Sequence, residues 1–134
     1  MSGPLKQSPR TQNDADSLEA VLRAARSALS RGDGWDAEQN HYDRLRSDCE
    51  KLGVNGAYFS MTLALRSAIA EIKVEDMHQR EDTSYAGSEP NQTLYVCVWD
   101  SAHFQRRMYF KFAMNQQKKV EVFTFHEDAS EGRR

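Results

Sequence analysis

Arg107, Tyr109 and Lys111 occupy alternate positions in the stretch Arg106 to Met114, and His126 closes a second apolar stretch, Lys119 to His126. Together they supply two permanent cations, a phenol and an imidazole, a side chain that titrates near pH 6.5. Cleavage of RNA through its own 2′-hydroxyl calls for such a set. It needs a group to take the hydroxyl proton, cations for the crowded phosphate, and an acid for the departing 5′-oxygen, and it needs no metal ion. The same residues also read as ordinary strand residues: Arg107 and Lys111 solvated, Tyr109 half-buried at an edge, His126 at a surface strand end. Spacing alone leaves both readings open.

Other residues add to either reading. Arg106 extends the charge beside Arg107, and His78 and Arg80 follow a long apolar segment in a charged stretch, as substrate contacts or as solvated residues. Trp99 and Phe104 have the ring faces to stack on bases, although aromatic residues at a strand and its end more often belong to a core. The histidines at 41, 78, 103 and 126 lack metal-ligand spacing, so no metal is expected. Gly-rich phosphate loops and the G-x-S-x-G elbow are also missing, and no cofactor is expected. Cys49 and Cys97 follow no paired spacing and lie in amphipathic patterns, which predicts buried free thiols.

For Arg107, Tyr109, Lys111 and His126 to meet, two strands must form a hairpin. Arg107, Tyr109, Lys111 and Ala113 alternate with Met108, Phe110, Phe112 and Met114, the period of a sheet with one buried face. Asn115-Gln116-Gln117-Lys118 is the expected connection. A loop of two or four residues sets Phe110 against Phe123 and Met108 against Phe125 on the core face. It sets Arg107 against His126, Tyr109 against Thr124 and Lys111 against Val122 on the other. An odd-length loop would undo this grouping.

The rest of the chain supplies the support. Asp16 and Glu19 have capping-box spacing, and Leu18, Val21, Leu22, Ala25 and Leu29 follow at helical intervals until Gly32 and Gly34. Trp35-Asp36 opens a second expected helix, with Tyr42, Leu45, Cys49 and Leu52 as its stripe and Gly53 as its stop. Ala57 to Ile72 is the most apolar helix and is expected to pack on the sheet. Residues 73–92 turn polar and read as an irregular loop; Thr93 to Trp99 reads as a central strand buried on both sides. The expected fold is α/β of the α+β type, with N-terminal helices packed on a small antiparallel sheet.

At 134 residues the chain is large enough for one core. Residues 1–15 are expected as a disordered arm, 16–126 as a single globular domain, and 127–134 as a flexible tail. With 39% hydrophobic and 28% charged residues, no run of about 18 apolar residues and no signal-peptide core, the reading is cytoplasmic with no membrane partner. Net charge is −2, but the basic residues are unevenly placed: residues 93–126 carry 5 Lys and Arg against 2 Asp and Glu, and residues 1–92 carry 11 against 15. The sheet is therefore the part suited to a polyanion.

Between about Tyr42 and His126 the chain resembles the MqsR-type toxins, RelE-like mRNA interferases of bacterial toxin–antitoxin systems. Three pieces carry the resemblance: a helix ending in Leu52-Gly53 before a long apolar helix; the exit Ile72 to Asp76-Met77; and Met108-Tyr109-Phe110-Lys111-Phe112 followed by Val122-Phe123-Thr124-Phe125-His126. It implies a RelE-like architecture and a metal-independent endoribonuclease toxin. The implied substrate is RNA, including mRNA on the ribosome, and the implied partner is a neutralising cognate antitoxin. Tyr109 and His126 match the family's acting tyrosine and terminal basic residue. That match together with the chemistry of the hairpin face makes His126 the expected acid and Tyr109 the group orienting or stacking on the nucleotide; the residues' own chemistry and placement make Arg107 the phosphate-stabilising cation, with Lys111, Arg80, Arg106 and His78 binding substrate. The family's functional lysine falls at about Gln79, beside Arg80, and its functional glutamine near Tyr95 or Val96. These departures fit an altered site or a toxin-like fold serving as a non-catalytic interaction module.

Overall fold

Amphipathic stripes in the first half and alternating apolar residues in the second produce two layers in the computed structural model, which describes residues 12–81 and 93–128; side chains at 12–14, 80 and 81 are outside the description. The expected arm before residue 12, the loop at 82–92 and the tail after 128 lie outside the described residues. The elements are α1 (Gln12–Leu29), β1 (Trp35–Asp36), α2 (Gln39–Lys51), α3 (Tyr58–Glu71), a 3-10 turn at Val74–Asp76, β2 (Met77–Glu81), β3 (Thr93–Ser101), β4 (Arg106–Met114) and β5 (Val120–Glu127). The fold is α+β, with the sheet in the order β1-β5-β4-β3-β2. It is mixed, because β1 runs parallel to β5 while the other neighbours are antiparallel. No helix among the described residues is long and apolar enough to cross a membrane.

One sheet face and the helices share the main core. Leu22, Leu29, Leu45, Met61, Leu65, Ile69 and Ile72 close over Met77, Cys97, Trp99, Met108, Phe110, Phe112, Val122 and Phe125, all buried. Each helix contributes the stripe its spacing promised, and α2 the narrowest, with Leu45 and Cys49. Two arginines tie α1 to α3. Arg26 donates to the Ile69 and Ile72 carbonyls (3.1 and 2.8 Å), and Arg66 donates to the Leu29 carbonyl (2.9 Å). Cationic donors thus meet the carbonyls that both helix C-termini leave without intrahelical partners.

Four expectations are corrected. Asp16 lies inside α1, which starts at Gln12. Trp35-Asp36 forms a strand: Trp35 pairs with Val120, stacks between Tyr42 and Tyr58, and donates its indole N–H to Thr62 Oγ1 at 2.7 Å. An aromatic with that many partners is held extended, whatever helical periodicity follows it. The polar stretch after Ile72 begins with a 3-10 turn and then supplies edge strand β2, in which Met77 is buried against Cys97 while His78 and Gln79 are exposed. Among its described side chains only Met77 is buried, beside polar neighbours, which gives little apolar alternation.

The fourth correction is the hairpin. Five residues, 115–119, lie between the paired Met114 and Val120, so the loop is odd. Asn115 organises it: its Oδ1 accepts from the backbone N–H of Gln117 and Lys119, and Lys118 takes the left-handed conformation, φ 62°. The grouping survives because a bulge beside Lys111/Phe112 leaves Phe123 as an extra residue on β5. Parity is restored beyond it, with the register moved by two residues. Tyr109 therefore faces His126, Phe110 faces Phe125, and Lys111 faces Thr124.

Candidate functional site on the second sheet face

Side chains alternate across a strand, so β4 sends Arg107, Tyr109, Lys111 and Ala113 to the face opposite the main core. Pairing arranges that face in rows. Val98, Tyr109 and His126 form one, His78, Val96, Lys111 and Thr124 the next, and Asp100 and Arg107 the row beyond Tyr109. At its turn end Leu94, Ala113 and Phe123 make a small separate buried cluster.

Tyr109 and His126 are the centre. Their rings are stacked, 5.4 Å between centroids and 7° from parallel. His126 Nδ1 lies 2.6 Å from the Glu127 carbonyl oxygen. A carbonyl only accepts, so Nδ1 carries the hydrogen and Nε2 is left as the position that gains or loses a proton. Both side chains are half-buried.

Arg107 is clamped by acids. Its guanidinium meets Asp100 at 3.1 Å and Asp128 at 3.5 Å, while Asp128 donates its backbone N–H to the Arg107 carbonyl (2.9 Å). The two carboxylates fix the side chain and offset its charge, so a phosphate at Arg107 must displace one of them. Lys111 is 9% exposed, which corrects the solvated reading; its stem belongs to the sheet. Arg106 is not part of the group. It points to the other face, donates to the Phe104 carbonyl (3.1 Å), and lies 3.6 Å from Glu127. His78, expected in a loop, sits exposed on β2 in the Lys111 row. Arg80, on the same strand as His78, pairs with Leu94 of β3, and its side chain lies outside the described residues.

The remaining chemistry-bearing residues serve structure. Trp99 and Phe104 are core, 3% and 8% exposed. Cys49 and Cys97 are buried and free, and burial pushes both thiols up to about 12, which removes them as nucleophiles. Among the described residues no group of three or more His, Cys, Asp and Glu can hold a metal ion. Glu71, at the end of α3, went unnoticed in the sequence because its partners are far away along the chain. It accepts from Trp99 Nε1 (2.9 Å), Ser101 Oγ (2.6 Å) and the His103 backbone N–H (2.8 Å). Burial raises its pKa, but these hydrogen bonds outweigh burial and hold it below the usual carboxylate value. It thereby fixes the β3–β4 turn.

His41 was also missed as a site residue. In the first turn of α2, its ring lies 5.1 Å from that of Phe123, on the same sheet face as Lys111. Burial holds its pKa below 6.5 despite Glu38, with Arg44 and Lys111 lowering it further. Only the α2–β5 packing, invisible in the sequence, brings it there.

Comparison with protein-family models, with curated proteins and with solved structures finds no match to this chain.

Proposed function

We propose that this chain is a metal-independent endoribonuclease toxin that cleaves mRNA in the cytoplasm and is neutralised by a cognate antitoxin, as the resemblance to MqsR-type toxins implies. The observation that supports it most is the stacked Tyr109–His126 pair, with Nε2 of His126 left as the proton-carrying position. In the reaction the RNA 2′-oxygen attacks phosphorus, its proton passing to solvent, and the bond from phosphorus to the 5′-oxygen breaks. His126 gives its Nε2 proton to that oxygen, leaving a 2′,3′-cyclic phosphate and a 5′-hydroxyl. Tyr109 offers a ring face to the nucleotide, and Lys111, Arg107 and His78 supply cationic or hydrogen-bonding groups on the same face.

Induced expression in a bacterial host tests the reading. Wild-type protein should arrest growth and the purified enzyme should cut RNA, with ribosomes present or absent, whereas His126→Ala should do neither while folding normally. A wild-type protein that cuts no RNA under either condition overturns it.

A second reading, a non-catalytic interaction module, draws on a different observation. Phe59 and Leu63, one turn apart on α3, are 69% and 41% exposed, on the helical layer. On that reading Phe59→Asp abolishes partner binding and His126→Ala has no phenotype.

A further inference from the structure

Asp100 is left without a chemical task by the Tyr109–His126 pair. It lies on β3 directly across from Arg107 of β4, and its Oδ1 meets the Arg107 guanidinium at 3.1 Å. The two acids on Arg107 differ. The Asp128 side chain is 16% exposed, and Asp128 also donates its backbone N–H to the Arg107 carbonyl, whereas the Asp100 side chain is 85% exposed. Asp128 anchors the arginine, and Asp100 is open to a ligand arriving from solvent. Exposed ion pairs contribute little to stability, so a phosphate oxygen can take the place of Asp100 on the guanidinium.

Position gives that exchange a meaning. β4 is the middle of three strands here, with Asp100 on the β3 side of Arg107 and His126 on the β5 side of Tyr109. Neighbouring strands are about 4.8 Å apart, so the backbones at Asp100 and His126 stand about 10 Å apart across β4 and about 7 Å apart along it. In an in-line displacement the attacking and leaving oxygens lie on opposite sides of phosphorus, and the base and the acid must flank it in the same way. A phosphate over Arg107 and Tyr109 meets that demand, with the Asp100 carboxylate on one side and Nε2 of His126 on the other. Pairing of β2 with β3 starts at Met77 and Cys97, so no further described strand pairs with β3 at Asp100, in keeping with its exposure.

We propose that Asp100 is the general base of the cleavage and takes the proton of the attacking 2′-hydroxyl. RNA binding moves Arg107 from Asp100 to a non-bridging phosphate oxygen, and the released carboxylate turns to the hydroxyl beside that phosphate. As the 2′-oxygen forms its bond to phosphorus, its proton passes to a carboxylate oxygen of Asp100. The bond from phosphorus to the 5′-oxygen breaks, and that oxygen keeps the bonding pair and takes the Nε2 proton of His126. Asp100 then gives its proton to solvent, and His126 regains one from solvent. The inference rests on the endoribonuclease reading and supplies the base through which the hydroxyl proton reaches solvent.

The test uses the full chain and two modified RNAs: 2′-O-methyl RNA, which binds but lacks the attacking hydroxyl, and RNA with sulfur in place of the 5′-oxygen at the cut, a leaving group that needs no acid. Asp100 is exposed, so Asp100→Asn should melt like the wild type. It should bind 2′-O-methyl RNA at least as tightly, with a salt slope steeper by up to about 0.7, because Arg107 is freed for one single-strand phosphate contact. Its cleavage of ordinary RNA should nonetheless fall about 100-fold to 10,000-fold, and Asp100→Glu should recover part of the loss. The sulfur-linked RNA should restore cleavage by His126→Ala and leave Asp100→Asn slow. If Asp100→Asn cuts ordinary RNA as fast as the wild type or faster, Asp100 only holds Arg107; the assignment is overturned while the nuclease reading stands. A fall in affinity that matches the fall in cleavage, or rescue of Asp100→Asn by the sulfur-linked RNA, overturns it as well. If the wild type cuts no RNA at all, the nuclease reading fails and takes the base with it.

Discussion

The hydrogen bond from His126 Nδ1 to the Glu127 carbonyl occupies that nitrogen, so Nε2 is the one left to pass a proton. As a general acid His126 must start as imidazolium. His126→Ala should therefore lose about 100-fold to 10,000-fold in kcat/KM while keeping RNA affinity. An Ala variant that cleaves as fast as wild type would remove His126 from the reaction. Glu71 gives the stability counterpart. Its folded pKa is depressed, so its contribution is complete above the ordinary carboxylate value and is lost as pH falls through the folded one. Glu71→Gln should cost about 1.5–3 kcal/mol near neutrality. The gap in urea midpoint between variant and wild type should narrow as pH falls below the ordinary carboxylate range; a constant gap would show that charge plays no part. Residue types announced His126 and Tyr109 because their chemistry is local. Glu71 and His41 act through partners distant in sequence, which no spacing encodes.

At the scale of elements, period was legible and register was not. Alternation in Met108 to Met114 placed Phe110 and Phe112 in the core, and both are fully buried. The turn could not be read, because Asn115 and a left-handed Lys118 do what a glycine usually does, and the bulge at Phe123 has no residue signature at all. Two deviations cancel: an odd loop reverses the facing of β5, and one extra residue reverses it back. Deleting Phe123 should therefore do more than remove a buried ring. The chain beyond must either send Phe125 to the second face and His126 into the core, or strain the turn. We expect a loss above about 3 kcal/mol and no cleavage. Phe123→Ala keeps the extra residue, so it should lose stability but retain measurable cleavage. Equal activity in the two variants would show that the bulge does not set the site.

At the scale of the whole molecule, the two layers divide the work. The helices bury one sheet face, and the proposed site occupies the other, so stability and RNA binding should be separable by mutation. Arg26 lies in the helical layer, where it donates to two carbonyls at the end of α3; Arg26→Ala should cost about 1.5–3 kcal/mol. It should leave RNA affinity and its salt dependence untouched, since the altered charge is on the layer away from the site. The wild-type salt dependence follows from the cations on the second face. Among the described side chains Arg107 and Lys111 give two phosphate contacts, hence a slope of about −1.4 in a plot of log affinity against log salt. Arg107→Gln should reduce it by less than the roughly 0.7 of one full contact, because Asp100 and Asp128 already occupy the Arg107 guanidinium. Measuring anisotropy across a salt series for wild type, Arg26→Ala and Arg107→Gln checks the ordering. A slope near zero in wild type, or a drop in slope for Arg26→Ala equal to or larger than that for Arg107→Gln, would place RNA elsewhere than on this face.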